Sequence, residues 1–277
     1  MVRNNATRPV PWTRRRLAAD LRALGLVPGD SVMIHAGLRS VGPMLGGPDA
    51  LILAVLDTIG PAGTLLVYTD WDDGFGDLLD PDGTLPAEFR DEVLPFDPIR
   101  SRANRDNGAI AELIRTFPGA LRSGNPGASC AAIGARAAWF VADHPQDYGY
   151  GERSPFGRLV ESSGKVLVVG APLDTVSLLH HAEHKAQIPG KRVVTGQAPL
   201  LVEGRVTWCR YEEFDTSDPV VEGLDADYFG TIVTAFLDQG GGRRGRIGSA
   251  ESVLLPAADL VGFAVGWLQD WSRRRET

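Results

Sequence analysis

Residues Leu179-His180-His181-Ala182-Glu183-His184 hold three of the five histidines of the chain beside a carboxylate. Segment 174–187 follows an apolar run at 165–170 and reads as a helix. On a helix, residues three or four apart share a face. His180, Glu183 and His184 should therefore point one way and His181 another. Two chemistries fit that face. A neutral imidazole, with an ordinary pKa of about 6.5, takes a proton near neutrality. A carboxylate one turn away can hold its ring and stabilise the imidazolium that forms. Alternatively, His180-x-x-Glu183-His184 matches the pattern of inverted zinc peptidases, where the histidines hold metal and the glutamate is the base. A third ligand would then come from Glu212, Glu213 or Asp215. The alternating strands and helices around the motif give that second chemistry no support.

Other routes to catalysis are missing from the chain. No G-x-S-x-G elbow occurs, and no P-loop lysine motif. The turn Ala36-Gly37-Leu38-Arg39-Ser40-Val41-Gly42 lacks dinucleotide-binding glycine spacing. Cys130 lies in an apolar run and reads as a buried thiol.

The elements that must position the motif follow from apolar runs and their punctuation. Residues 14–24 form a helix capped by Thr13 and ended by Gly25. A strand at 31–35, a helix at 48–59 and a strand at 63–68 follow, which implies a parallel sheet with both faces covered. Residues 70–105 break this rhythm with a long loop rich in Asp, Pro and Gly, and loops of that length usually carry function. Helices are expected at 108–117, 135–143 and 155–162, and strands at 128–133 and 165–170. A hairpin of 192–202 and 205–211 turns at Glu203-Gly204. Helices at 225–237 and 256–271 flank a flexible basic loop, Gly240-Gly241-Gly242-Arg243-Arg244, and 272–277 is a solvated tail. The expected class is α/β, with a mixed, largely parallel central sheet covered by helices on both faces and a C-terminal hairpin and helix portion. One domain over 1–277 is expected.

With 277 residues, 43% hydrophobic and 23% charged, the chain can bury a sizeable core without staples. Two cysteines fit a reducing compartment rather than a disulfide scaffold. Residues 1–16 are basic with no apolar run behind them, so no signal peptide is expected, and no stretch is long enough to span a membrane. A cytoplasmic protein is expected. The net charge of −7 argues against nucleic acid and suits a cationic ligand.

The ordered series of short motifs resembles the aminoglycoside 3-N-acetyltransferase family. Val32-Met33-Ile34-His35 with Leu38-Arg39-Ser40-Val41-Gly42 is similar to its opening strand and loop. Gly60-Pro61-x-Gly63-Thr64-Leu65, then Leu121-Arg122-Ser123-x-Asn125-Pro126-x-x-Ser129 and Ser154-Pro155-Phe156, follow in order. Leu179-His180-x-Ala182-Glu183, Phe214-Asp215-Thr216 and Gly248-x-Ala250-Glu251-Ser252 complete it. The common acetyltransferase loop, Q/R-x-x-G-x-G/A, begins at Gln239-x-x-Gly242 but fails at Arg244.

The resemblance implies an acetyl-CoA-dependent enzyme acylating the 3-amino group of deoxystreptamine antibiotics, with no metal. A non-antibiotic amine is the alternative acceptor. His180 would be the general base and Glu183 its orienting carboxylate, leaving His181 and His184 outside the family pattern. Asp215 would lie near the substrate amines. Asp70, Trp71, Asp72, Asp73, Glu88 and Asp97 in the long loop, with Glu212 and Glu213, are the other candidates for holding a cationic sugar. His35, Leu38, Arg39, Ser40, Ser154, Gly170 and Ala171 are candidates for coenzyme A, with Arg39, Arg243 and Arg244 for its phosphates. A monomer or homodimer is expected. Three departures stand out: Ala36 and Gly37 replace hydroxyl residues, Asn125 replaces a histidine, and Tyr68-Thr69-Asp70-Trp71 lacks a usual proline.

Overall fold

The first elements are α1 (Arg14–Leu24), β1 (Ser31–Ala36), α2 (Asp49–Ile59) and β2 (Thr64–Tyr68). After a long loop come α3 (Gly108–Arg115), β3 (Leu121–Arg122), β4 (Cys130–Gly134), α4 (Ala137–Val141), α5 (Pro155–Glu161) and β5 (Lys165–Val169). The remainder is α6 (Leu179–Lys185), β6 (Val193–Val202), β7 (Arg205–Phe214), α7 (Tyr228–Asp238), β8 (Arg243–Ile247), β9 (Ala250–Pro256) and α8 (Ala257–Glu276). This computed structural model describes residues 10–80, 83–217 and 219–276. Most of the basic N-terminal segment, residues 1–9, lies outside the described residues.

One seven-stranded sheet runs in the order β3-β4-β2-β1-β5-β9-β8, and β6 pairs only with β7. The centre is parallel: β1 pairs with β2 and β5 in that sense, while β4 and β9 run against their neighbours. Strands β3, β2, β1, β5 and β8 thus point one way, and the sheet is mixed but largely parallel.

Side chains alternate across the sheet with the period of two that a pleat imposes. Val32, Ile34, Leu65, Val67, Leu167 and Val169 pack with Leu17, Leu21, Leu51, Val55 and Ile110 of α1, α2 and α3. Met33, Leu66, Val166 and Val168 face the opposite way, against Phe156, Leu179, Ala182, Ile232 and Leu260 of α5 to α8. Both faces are covered, so the central strands read as continuous apolar runs. Fully burying a side chain of this size contributes about 1.5–3 kcal/mol, and both layers depend on it. Thr13 caps α1 by accepting from Arg16 N at 3.3 Å, and Gly25 ends it at φ 114°.

Four expectations need correction. The stretch 240–244 is not a flexible loop: Arg243 opens β8, an edge strand paired with β9. Its outward arginines hide it from a hydrophobic pattern, because edge strands are commonly guarded by charge. Helix α8 continues through 272–276, with Arg273 bonded to Asp270 and Arg275 to the Glu222 carbonyl. The helix expected at 174–187 is instead a single turn, Leu173–Thr175, and then α6. Its end is fixed by Lys191 Nζ, which donates to the carbonyls of Glu183 (3.0 Å) and His184 (3.3 Å). Strand β7 runs on to Phe214, three residues past the expected end.

The C-terminal ends of β1, β2 and β5 share one edge of the sheet. Ligands in open α/β sheets gather at such an edge. Asp70 follows β2 there, and the chain from β5 leads through Gly170 into α6. The hairpin is tied to the long loop by Phe96 N, which donates to Pro199 O at 2.7 Å.

Candidate active site

Helix α6 exists because Leu179 and Ala182 are fully buried against the apolar layer that includes α8. That burial turns His181 inward, where its Nδ1 donates to Tyr150 O at 2.7 Å. A different face of the same turn presents His180, whose Nδ1 lies 2.7 Å from Glu183 Oε2. The other Glu183 oxygen accepts from Tyr228 OH on α7. A carboxylate accepts only, so Nδ1 holds the proton and the Nε2 lone pair of a neutral His180 is left open. Glu183 is 3% exposed and His180 18%, so the carboxylate is locked and the ring reaches a surface. The rings of Tyr150 and Phe229 flank the imidazole with centroids 4.8 Å away.

His184 does not join them. Its ring packs on Tyr148 (5.8 Å) and Phe214 (5.7 Å), and burial lowers its pKa. Among the described residues, no group of three or more His, Cys, Asp or Glu side chains is disposed to hold a metal.

Two hollows meet beside His180. A cleft of about 530 Å³ lies between the long loop and the hairpin, with Asp70, Trp71, Asp73, Tyr211, Glu213 and Asp215 in its wall. A pocket of about 270 Å³ contains His180, Asp174 and Phe229. Thr216 and Ser217 line both. Burial pushes the carboxyls of Asp70 and Glu213 up to about 7. Glu213 is held by Gly149 N at 2.5 Å and Phe214 N at 2.8 Å, and His180 acts on it to lower its pKa. Asp215 combines two roles: Oδ1 accepts from Ser217 N at 3.0 Å to form the bend, and Oδ2 lies 3.1 Å from Arg192.

The remaining loop candidates go elsewhere. Asp72 pairs with Arg105 at 3.1 Å and lines a separate hollow with Glu112. Asp97 caps its own loop, accepting from Ile99 N at 2.8 Å. Glu88 lies in a short turn, Ala87–Phe89, away from the cleft wall. Glu212 bonds Tyr148 OH. Trp71 lines the cleft and packs nearly perpendicular to Phe75 (5.8 Å) and tilted against Phe96 (5.5 Å).

Of the coenzyme candidates, the loop after β1 and the turn after β5 come together. Gly37 N donates to Val169 O at 2.9 Å, and Ser40 Oγ to Gly170 O at 3.1 Å. A Cβ on Gly37 would stand 2.3 Å from Gly170 O, so the hydroxyl residue typical of this position does not fit here. Arg39 is exposed on this loop, and Leu38 packs against the layer that holds α1 to α3. Ala171 packs on the opposite layer. His35 has its Nε2 buried, and burial lowers its pKa to about 4, so the ring is neutral. Ser154 is fully buried as the N-cap of α5, donating to Gly151 O at 2.6 Å and accepting from Gly157 N at 3.1 Å. Arg243 lies at the far end of the sheet beside Gly25, and Arg244 pairs with Asp238 at 2.9 Å.

Asn125 carries the bonds its position requires. Its Nδ2 donates to Pro145 O at 2.6 Å and its Oδ1 accepts from Ala128 N at 2.8 Å. Residues that the spacing did not point to are Tyr150, Tyr228, Thr216 and Ser217. They come from three places in the chain, and neither helical nor strand periodicity marks them.

Comparison with known proteins identifies the family. The family model for aminoglycoside 3-N-acetyltransferase matches residues 33–269. Aminoglycoside N(3)-acetyltransferase III of Pseudomonas aeruginosa is 43% identical over 263 residues, 94% of each chain. A type VII enzyme of Streptomyces paromomycinus is 44% identical over 268 residues, 94% of this chain and 92% of its own. The solved structure of AAC-IIIb in binary complex with CoASH has TM-score 0.94 and 56% identity over 95% of this chain and 98% of that one. AAC-VIa bound to sisomicin has TM-score 0.90 and 39% identity over 95% and 99%. These matches leave no room for the peptidase pattern, and the chain belongs to the aminoglycoside 3-N-acetyltransferase family.

Proposed function

We propose that this protein transfers the acetyl group of acetyl-CoA directly to the 3-amino group of the 2-deoxystreptamine ring of an aminoglycoside. The observation that carries the reading is the His180–Glu183 pair at 2.7 Å, placed where an acidic cleft and a second pocket share Thr216 and Ser217. His180 Nε2 removes a proton from the 3-amine while that nitrogen attacks the thioester carbonyl. The C–N bond forms, the C–S bond breaks, and the departing thiolate is protonated from the imidazolium. Glu183 keeps the ring in the tautomer this needs and stabilises its charged form.

The other amines of such a substrate stay cationic. Asp70, Asp73, Glu213 and Asp215 face them, and Trp71 offers a sugar-binding ring. The loop Leu38–Val41 and the Gly170-Ala171 turn border the coenzyme arm, and Arg39, exposed on that loop, is the arginine candidate for its phosphates. Residues 1–277 act as one domain, as a monomer or homodimer, in the cytoplasm where acetyl-CoA is made. Among the described residues no helix is long and apolar enough to cross a membrane.

A thiol-release assay with acetyl-CoA and a panel including sisomicin and gentamicin tests this. One thiol per acetylated sugar, with the acetyl group on the 3-nitrogen by NMR, is expected. No thiol release with any aminoglycoside would overturn the proposal.

A further inference from the structure

Asp70 adopts a left-handed backbone conformation, φ 48°, unusual for a residue other than glycine. Such a conformation persists only where its surroundings fix it, and it clusters at functional sites. What fixes it here is Arg122 on β3, a buried guanidinium bonded to neutral oxygens. Its Nη2 donates to Asp70 O, its Nη1 to Ser101 O at 2.6 Å, and its Nε to Thr69 Oγ1 (3.2 Å) and Ser129 Oγ (3.1 Å). Ser129 Oγ also donates to Asp70 O at 3.1 Å, and Asp70 N to Ser129 O at 3.1 Å. The guanidinium lies over the Phe96 ring at 4.9 Å, and Phe96 in turn supports Trp71. One arginine thus joins the sheet, the end of β2 and the long loop at the point where the cleft wall begins.

We propose that Arg122 is a positioning residue for the acceptor substrate: it holds Asp70 in its left-handed conformation so that the carboxylate faces the cleft and meets a substrate ammonium. The fork matters as well as the charge. Lysine is a point donor and cannot span the Asp70 and Ser101 carbonyls together with two hydroxyls. Arg122 touches neither the reacting nitrogen nor the thioester, so its loss acts through Asp70 on binding and leaves the chemical step alone.

This inference rests on the acetyltransferase reading, and the wild-type enzyme serves as its control: activity on sisomicin must be present before the variants are compared. Steady-state kinetics on Arg122→Lys, Asp70→Asn and the double variant then form a cycle. Asn tolerates the left-handed region, so Asp70→Asn removes charge and keeps shape. Arg122→Lys should raise KM for sisomicin about tenfold, the scale of one hydrogen bond to a charged group. Its kcat and its KM for acetyl-CoA should stay within about twofold of wild type, since neither depends on that bond. In the Asp70→Asn background Arg122→Lys should add nothing further. An equal rise in both backgrounds, or a fall in kcat with the same loss for the coenzyme, would overturn the assignment. Should Arg122→Lys not fold, Ser129→Ala removes a hydroxyl bonded to both groups. It predicts a smaller KM rise that vanishes with Asp70→Asn, and a rise that persists there contradicts the proposal.

Discussion

Helix α6 carries His180 and Glu183, the proposed base and its orienting carboxylate, three residues apart and hydrogen-bonded, while the cleft beside it draws its acids from distant places. Asp70 follows β2, Asp73 lies in the long loop, and Glu213 and Asp215 stand at the end of β7 and just after it. The first region is stiff: Glu183 is 3% exposed, bonded on both oxygens, and anchored by buried Leu179 and Ala182. The second is assembled from a loop and a hairpin joined by contacts such as Phe96 N to Pro199 O, Arg90 to Gln197 Oε1 and Phe75 on Trp208. The contrast teaches a division of labour. The proposed chemistry sits on the rigid element, where a small displacement of a base would be costly. Recognition sits on the parts of the chain that can vary without disturbing the core.

The sharpest way to break this division is to remove the base. His180→Ala should lower kcat by about 10²–10⁴ while KM for acetyl-CoA changes little, because a general base acts in the transition state. Near-normal kcat in the purified variant would reject the assignment.

The cleft should respond to pH instead. Asp70 and Glu213 have their carboxyls raised to about 7 by burial. A raised carboxyl contributes stability that is present below its unfolded pKa, near 4, and lost as pH climbs through about 7. The empty protein should therefore lose thermal stability across that window. A polycation offers the ionised acids partners, so the Tm increase on adding sisomicin should be larger at pH 8 than at pH 6. An equal shift at both values would mean that these acids do not meet the ligand.

The smallest effect is expected at the outer edge of the stiff region. Tyr228→Phe removes one bond to the Glu183 carboxylate, worth about 1.5–3 kcal/mol to that group and felt only in part at the ring it holds, so kcat should fall by about tenfold or less with binding of both substrates intact. A change confined to KM for the aminoglycoside would place Tyr228 with the cleft, and blur the boundary.

The same contrast governs what the sequence discloses. His180 and Glu183 are legible because helical periodicity is local, and the central strands are legible because both faces of the sheet are covered. The edge strand β8 is not, since Arg243, Arg244 and Arg246 look like a solvated loop until β9 is there to pair with. The match of His184 to a metal pattern misleads for a related reason: letters fix spacing, but the packing of its ring on Tyr148 and Phe214 decides where it points. In the cleft, Asp70 and Glu213 are visible as acids, yet nothing local separates them from Asp72, which turns to Arg105, or Asp97, which caps its own turn. Arg122, Tyr150 and Tyr228 act across long separations in the chain and leave no periodic trace.

The central claim, that the His180 imidazole itself accepts the amine proton, is tested most directly by chemical rescue. Imidazole added to His180→Ala should restore acetyl transfer to sisomicin, with a rate that rises with pH in step with the neutral imidazole fraction. A rescue that tracks imidazolium, or a variant whose turnover matches wild type with no imidazole present, would contradict the account.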